Sequence, residues 1–296
     1  MRIAGRCGLR QLVPAMTKRP IPPQTPPAAV PPVARPGRPG AGAAPAGSPG
    51  VDRALALLEA LAEADGATLS DLARRQGLAP STTHRLLSAL AARRLAEVDP
   101  ATQAWSVGPV AFRLGAAFLR RGGLIERARP ILDGLAAASG ETAMLVMADG
   151  DAAMVVAEAP SAASLRVVLP PGTRLPYHAT AAGKALIAHL PLAQVRALLG
   201  RDALPALTTR TLTDQGEVTA DLATLRHGGY LSERGEAAEG QNAVAAPAFG
   251  GLGDPVAALA VAGPAHRLDD RAIDRMGPQV AAAARALGAA LGGPTG

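Results

Sequence analysis

A chain of 296 residues with 30 basic against 24 acidic side chains, a formal net charge of +6, is long enough for two domains of ordinary size. Its one cysteine, Cys7, excludes a structural disulfide and a cysteine-rich zinc site. No stretch reaches 18 apolar residues without a charge or a breaker, which excludes a spanning helix, and MRIAGRCGLRQLVPAM lacks the apolar run and cleavage site of a secretion signal, so the cytoplasm is the expected compartment.

The charge is unevenly placed. Residues 1–49 hold Lys18 and six arginines and no acid, a total of +7, which leaves −1 for the rest of the chain. Twelve of the 27 prolines lie in the same stretch, so it is expected to be a disordered, partly polyproline arm. Three readings of the arm are open: it adds non-specific affinity for DNA, it is inert, or translation begins only at Met16. With only six aromatic residues in the chain, the core has to be filled by Leu, Val and Ala.

Residues 51–64 (VDRALALLEALAEA) repeat apolar side chains at 54, 55, 57, 58 and 61, one face of a helix. Residues 69–94 (LSDLARRQGLAPSTTHRLLSALAARR) then read as two short amphipathic helices around a Gly-containing turn. On the first, Leu69, Leu72 and Ala73 face inward, Ser70 is the expected cap and Gly77 the end; Pro80 starts the second. Along that second helix Thr83, Leu86, Leu87 and Leu90 face a core, which leaves Ser81, Thr82, Arg85 and Ser88 outward.

Hydroxyls can take phosphate or base edges, and Arg can pair two-pronged with guanine, so this outward face suits a duplex groove. No acid lies between Leu72 and Glu97, which eases approach to phosphate; an ordinary helical hairpin is the bland alternative. His84 on the same helix is open between a phosphate contact and plain exposure. Arg93 and Arg94 at the helix end are further DNA-contact candidates, as is Gln103. LAEVDPATQAWSVG, two alternating runs about Asp-Pro-Ala-Thr, reads as a β-hairpin wing, with Trp105 plugging it onto the helices rather than stacking on a base. The economical description is a winged helix-turn-helix.

Residues 108–121 form a connecting helix opened by Pro109, with Phe112, Ala116 and Leu119 on one stripe and Arg113, Arg120 and Arg121 on the other. The apolar stripe is a natural seat for a second subunit. Residues 124–139 continue as a helix that Pro130 is expected to kink or split. From Glu141 the period changes: residues 142–148 and 152–159 are strands about Asp-Gly-Asp, and residues 164–169 a third strand closed by Pro170, Pro171 and Gly172. Helices are expected over residues 179–189, 192–199 and 214–227, strands over 242–249 and 256–262, and a last helix over 269–291. The fold class is α+β, with an antiparallel sheet covered by helices.

Several chemical signals fail on spacing. Gly183-Lys184 has His178 where a phosphate-binding loop needs Gly and Ala185 where it needs Ser or Thr, so Lys184 reads as a surface or interface residue. GGLGD is followed by Pro255 and a strand instead of the helix a dinucleotide loop requires. The histidines at 84, 178, 189, 227 and 266 never fall at metal-ligand spacing, so no metal is expected. Glu233 and Glu236 have no nucleophile or metal beside them and read as a solvated edge or a lining.

The order of STTHRLLSAL, a wing, a linker helix, LPYHATAAGKALIAHLP, TTRTLTD, HGGYLSERGE, AVAAPAF and a terminal AVAGPAHRL resembles the IclR family of bacterial transcription regulators over roughly residues 50–292. The resemblance implies a winged helix-turn-helix over residues 50–108, a linker over 109–123 and a GAF-like effector-binding domain over 124–292. It further implies a double-stranded DNA operator, a homodimer or homotetramer, no catalytic residue, no cofactor and no membrane.

In such proteins a small carboxylate sits in a cup on the sensor sheet, touching the backbone at the start of the AxAAGKA helix, here Ala181 and Ala182. A helix N-terminus offers N–H groups and a positive dipole end, which suits that role. His178 lies beside the cup, where effector contact and a capping or core role are both open. Family members with known small-acid effectors carry an Asp, a Cys and two hydroxyls where this chain has Ser232, Asn242, Ala260 and Ala262. That implies a roomier, more apolar cup for a larger or aromatic acid in place of glyoxylate or pyruvate. The family's usual Gly before the wing is here Arg94, so that turn is drawn differently or Arg94 adds a phosphate contact. Two other readings are an enzyme over residues 140–292 with the helical unit as a docking module, and a DNA-binding dimer without a ligand.

Overall fold

The computed structural model describes residues 48–64, 66–119, 123–200 and 202–293. The arm up to residue 47, Arg120, Arg121 and the side chain of Leu119 lie outside the described residues.

Helix α1 (Pro49–Ala62) starts on a proline at its first turn and buries Leu57, Ala60 and Leu61. Helix α2 (Leu69–Gln76) is capped by Thr68, whose Oγ1 accepts from Asp71 N at 3.2 Å. The cap is therefore not Ser70, which already sits inside the first turn. Thr68 keeps the extended backbone that capping requires. Gly77 ends the helix in the left-handed conformation, as expected.

Helix α3 (Pro80–Ala92) buries Thr83, Leu87 and Leu90, with Leu86 half-buried. Strands β1 (Ala96–Val98) and β2 (Trp105–Val107) pair antiparallel, Glu97 opposite Ser106. The Trp105 ring is 7% exposed and packs in one small core with Leu57, Leu61, Leu72, Leu87 and Leu90, so it plugs the hairpin onto the helices.

Helix α4 (Pro109–Leu119) leaves Phe112 79% exposed. Helix α5 (Leu124–Ser139) runs through Pro130 without splitting. One lost backbone bond is tolerated there because Ala128, Leu132 and Leu135 are buried in a common core with the sheet.

The sheet has six antiparallel strands in the order β5-β4-β3-β8-β7-β6: β3 (Thr142–Asp149), β4 (Ala152–Ala159), β5 (Arg174–Pro176), β6 (Leu231–Arg234), β7 (Gln241–Phe249) and β8 (Pro255–Pro264). Residues 164–169 are not a strand. Their carbonyls are engaged by side chains: Leu165 O accepts from Arg267 Nη2 and Val167 O from Thr142 Oγ1, both at 2.8 Å. The third strand is instead β5, and β6 is one the sequence reading left out.

Helices α6 (Ala181–Ile187), α7 (Leu192–Leu199), α8 (Gln215–Ala223) and α9 (Leu225–Gly228) follow β5. The expected helix over residues 214–227 breaks at Thr224, whose hydroxyl donates to Asp221 O at 2.7 Å. Helix α10 (Asp270–Ala290) is capped by Asp269. Gly277 leaves the space that the Tyr230 ring fills, letting α10 pack closely.

Period-two alternation divides the sheet into two cores. Met144, Ala243, Ala245, Ala260 and Ala262 join a core with α6, α7 and α8. Leu145, Val244, Ala246, Leu259 and Val261 join another with α5 and α10. Among the described residues no helix is long and apolar enough to cross a membrane.

Candidate functional site

On α3, Ser81, His84, Arg85 and Ser88 are exposed and Thr82 is half-buried. Thr83 turns the other way, fully buried, its Oγ1 donating to Ala79 O at 3.1 Å. On neighbouring α2, the acid Asp71 is taken up by Arg74 at 2.5 Å, and the Thr68 hydroxyl is the main cause of its lowered pKa. Arg93 and Arg94 are exposed at the exit of α3.

Arg94 has φ 57°, the left-handed conformation that glycine favours. It is held there because Val110 N donates to Arg94 O at 3.1 Å and Gly108 packs directly against that carbonyl. The turn keeps its glycine-like backbone, and the guanidinium extends to solvent. Gln103, also left-handed at φ 58°, spends its amide within the wing turn, donating from Nε2 to Pro100 O at 3.0 Å.

The second constellation surrounds α6. Every residue of this helix is buried, and Thr180 caps it, its Oγ1 accepting from Gly183 N at 3.1 Å. A side chain at Gly183 would run into Thr180 Oγ1, Tyr177 Cα and Pro176 O at 2.6–2.8 Å, so the glycine serves close packing rather than phosphate. Beneath the helix, register aligns Glu233 of β6, Ala243 of β7, Ala262 of β8 and Thr142 of β3 in one row. Leu231, Ala245, Ala260 and Met144 form the next row. Ala181 and Ala182 therefore share a face with Ala260 and Ala262.

His178 is 4% exposed, its Nε2 lying 3.0 Å from Pro205 O, and burial holds its pKa below the ordinary histidine value. Ser232 and Asn242 are not brought to this cluster. Their side chains lie on the opposite face, where Arg234 Nη1 donates to Ser232 Oγ at 2.5 Å and Asn242 Nδ2 donates to Leu268 O at 2.8 Å. A one-residue offset in a strand changes the face, so the residues turned toward α6 are Glu233 and Ala243.

Glu233 is 2% exposed, and its Oε2 accepts from Ala181 N at 2.9 Å. Oε1 meets no donor in hydrogen-bond geometry among the described residues; the Gln241 side chain reaches toward the carboxyl and favours its ionised form, against the larger effect of burial. Burial pushes the carboxyl up to about 8. Lys184 is fully buried, contrary to its reading as a surface or interface residue. Its Nζ lies 2.6 Å from Asp221 Oδ2 and 3.0 Å from Glu236 Oε2, and donates to Ser232 O at 3.3 Å.

Small residues let α6 sink onto the sheet, and two carboxylates match the charge that sinks with it. Burial raises the Glu236 carboxyl above its usual range, so neither Glu233 nor Glu236 is a solvated edge. Among the described residues, no three His, Cys, Asp or Glu side chains converge as a metal-holding group.

Residues 50–100 match the IclR helix-turn-helix domain, and residues 116–289 match the bacterial transcriptional regulator IclR C-terminal domain. The chain belongs to the IclR family of bacterial transcriptional regulators. It is 44% identical over 237 residues to the HTH-type transcriptional regulator BhcR of Paracoccus denitrificans, covering 80% of this chain and 85% of that protein. A solved IclR-type regulator from Alicyclobacillus acidocaldarius superposes with a TM-score of 0.75 at 26% identity, over 84% of this chain and 100% of that one. An IclR homologue from Microbacterium hydrocarbonoxydans, solved with 4-hydroxybenzoate, shares the fold with a TM-score of 0.69 at 21% identity, over 81% and 99% of the two chains.

As an IclR-family member the chain is a DNA-binding transcriptional regulator and not an enzyme. Three residues of the buried cluster beneath α6 stand otherwise than expected from sequence: Ala243, which was not singled out, Lys184, expected at a surface or interface, and Glu233, for which a solvated edge and a lining were both open. One signal was available. In LSERG, a strand with apolar Leu231 inward must also turn Glu233 inward.

Proposed function

We propose that this IclR-type regulator reads its operator through the outward face of α3, in a homodimer or homotetramer, under control of a small organic acid held in the cup beneath α6. The division of labour follows the lengths expected from sequence: DNA reading over residues 50–108, a linker over 109–123 and acid sensing over 124–292, all in the cytoplasm. The observation that carries the DNA half is the two-sidedness of α3. Thr83, Leu87 and Leu90 are buried, while Ser81, His84, Arg85 and Ser88 stand exposed to phosphate and base edges. Arg93, Arg94 and Gln103 add contacts at the wing side. Phe112, 79% exposed on α4, supports a second subunit packed on the linker.

For the acid, the support is a floor of methyl groups, Ala243, Ala260 and Ala262, under Ala181 and Ala182, with His178 at the margin and Glu233 as the polar wall. A methyl floor favours a larger, partly apolar acid, an aromatic one included, over two- and three-carbon acids. The 4-hydroxybenzoate bound by a protein of the same fold makes that compound a sensible probe. Effector and operator then change one another's affinity reciprocally.

The test is retardation of operator DNA, selected from a random pool, with and without glyoxylate, pyruvate, benzoate and 4-hydroxybenzoate. Altered binding with an aromatic acid is expected. A response confined to the two smallest acids overturns the aromatic reading, and no response to any acid overturns acid control.

A further inference from the structure

The surroundings of Glu233 carry a consequence for how an acid is admitted. Three carboxyl groups, those of Asp221, Glu236 and Glu233, lie around a single ammonium, that of Lys184. The Lys184 charge is already matched by Asp221 and Glu236, at 2.6 and 3.0 Å. Among the described residues Glu233 makes no ion pair, although the loop before α8 brings the Arg210 side chain against neighbouring Gly235. From the segment before α6 comes His178, which burial keeps toward its neutral form. Strand β7 offers the Gln241 amide and Ala243, and β8 offers Ala262. On β6 itself Arg234 points to the opposite face and pairs with Asp270 at 2.6 Å.

An ionised Glu233 beside an incoming carboxylate would put two like charges together in a water-poor site, at a cost neither can screen. A protonated Glu233 reverses the sign of the contact. Its Oε2 stays with Ala181 N, and a proton on Oε1, which no hydrogen bond occupies among the described residues, is a donor that forms a charge-assisted hydrogen bond once a carboxylate arrives.

We infer that Glu233 sets the protonation state in which the cup accepts an acid: a carboxylate binds while Glu233 carries a proton and is refused once it is ionised. This rests on the acid-sensing reading above. The proton stays on Glu233 throughout, and no bond is made or broken. Burial supports the same assignment, since it drives this carboxyl up to about 8, so the receptive form predominates at neutral pH and is lost in mild alkali.

Two measurements on the full chain test it. Infrared spectra of the protein alone at pH 7 are expected to show the carbonyl band of a protonated carboxylic acid that disappears in E233Q and fades in the unmodified protein toward pH 9. A spectrum without that band overturns the inference whether or not any acid binds. Calorimetric titration with benzoate and 4-hydroxybenzoate from pH 6.5 to 9.5 is the second, with benzamide as the uncharged control. Affinity for benzoate is expected to be flat to about pH 7.5 and then to weaken up to about tenfold per pH unit, a dependence that E233Q removes and benzamide does not share. Equal weakening in the parent and in E233Q overturns the inference. A band at pH 7 together with no binding of any acid overturns the acid-sensing reading itself, and this inference falls with it.

Discussion

The Lys184 ammonium lies 2.6 Å from the Asp221 carboxylate, an ion pair buried at its lysine end that ties α6 to α8. Lys184 is fully enclosed, whereas the Asp221 side chain keeps 30% exposure, so the two ends of the pair respond differently to loss of the partner. Lys184→Met keeps the volume and removes the charge, leaving Asp221 and Glu236 together without a cation. A loss of about 3 kcal/mol of stability is expected, read as a lower denaturant midpoint. Combining it with Glu236→Gln should restore part of that loss, because the second change removes the stranded charge.

Glu233 binds its proton more tightly in the folded chain than in the unfolded one, where 4.5 is the ordinary value against about 8 when buried. Its contribution to stability is therefore complete below about pH 4.5 and is lost progressively as the pH rises toward 8. Within that window the decline is at most about 1.4 kcal/mol per pH unit. Denaturant unfolding at pH 5, 7 and 8.5 should show this slope in the parent and a flatter one in Glu233→Gln.

Arg94 holds a left-handed backbone that the packing of Gly108 enforces. Arg94→Gly should relieve about 1 kcal/mol of conformational strain and raise the melting temperature. If the guanidinium meets a phosphate, the same variant should bind DNA more weakly at every sequence, with a shallower salt dependence.

Arg85 and Thr82 lie on the outward side of α3, away from buried Leu87 and Leu90. Arg85→Ala combined with Thr82→Ala should leave the melting temperature nearly unchanged and cost about 1–3 kcal/mol of operator affinity, measured by fluorescence anisotropy. Unaltered operator binding by the folded double variant would remove α3 from the groove.

Helix α3 and the α1 to α2 segment were legible because their buried positions recur at 3.6-residue spacing and Pro80 and Gly77 mark their limits, all properties of the local chain. The β3–β4 hairpin was legible from another local property, two β-rich runs separated by Asp-Gly-Asp. The sequence by itself also determined the IclR assignment, since the motifs and their order are strung along one chain.

What only the tertiary structure decided were features set by partners distant in sequence. Residues 164–169 have the composition of a strand, yet Arg267 and Thr142 claim their carbonyls. Lys184 looks like a surface cation until Asp221 and Glu236, 37 and 52 residues away, close around it. The make-up of the face beneath α6 turned on a single residue of register: β6 pairs with β7 so that Glu233 and Ala243 face α6 while Ser232 and Asn242 face away. A strand of four residues offers only Leu231 as a marker of its inward side, and the pairing with β7 fixes that facing in the sheet.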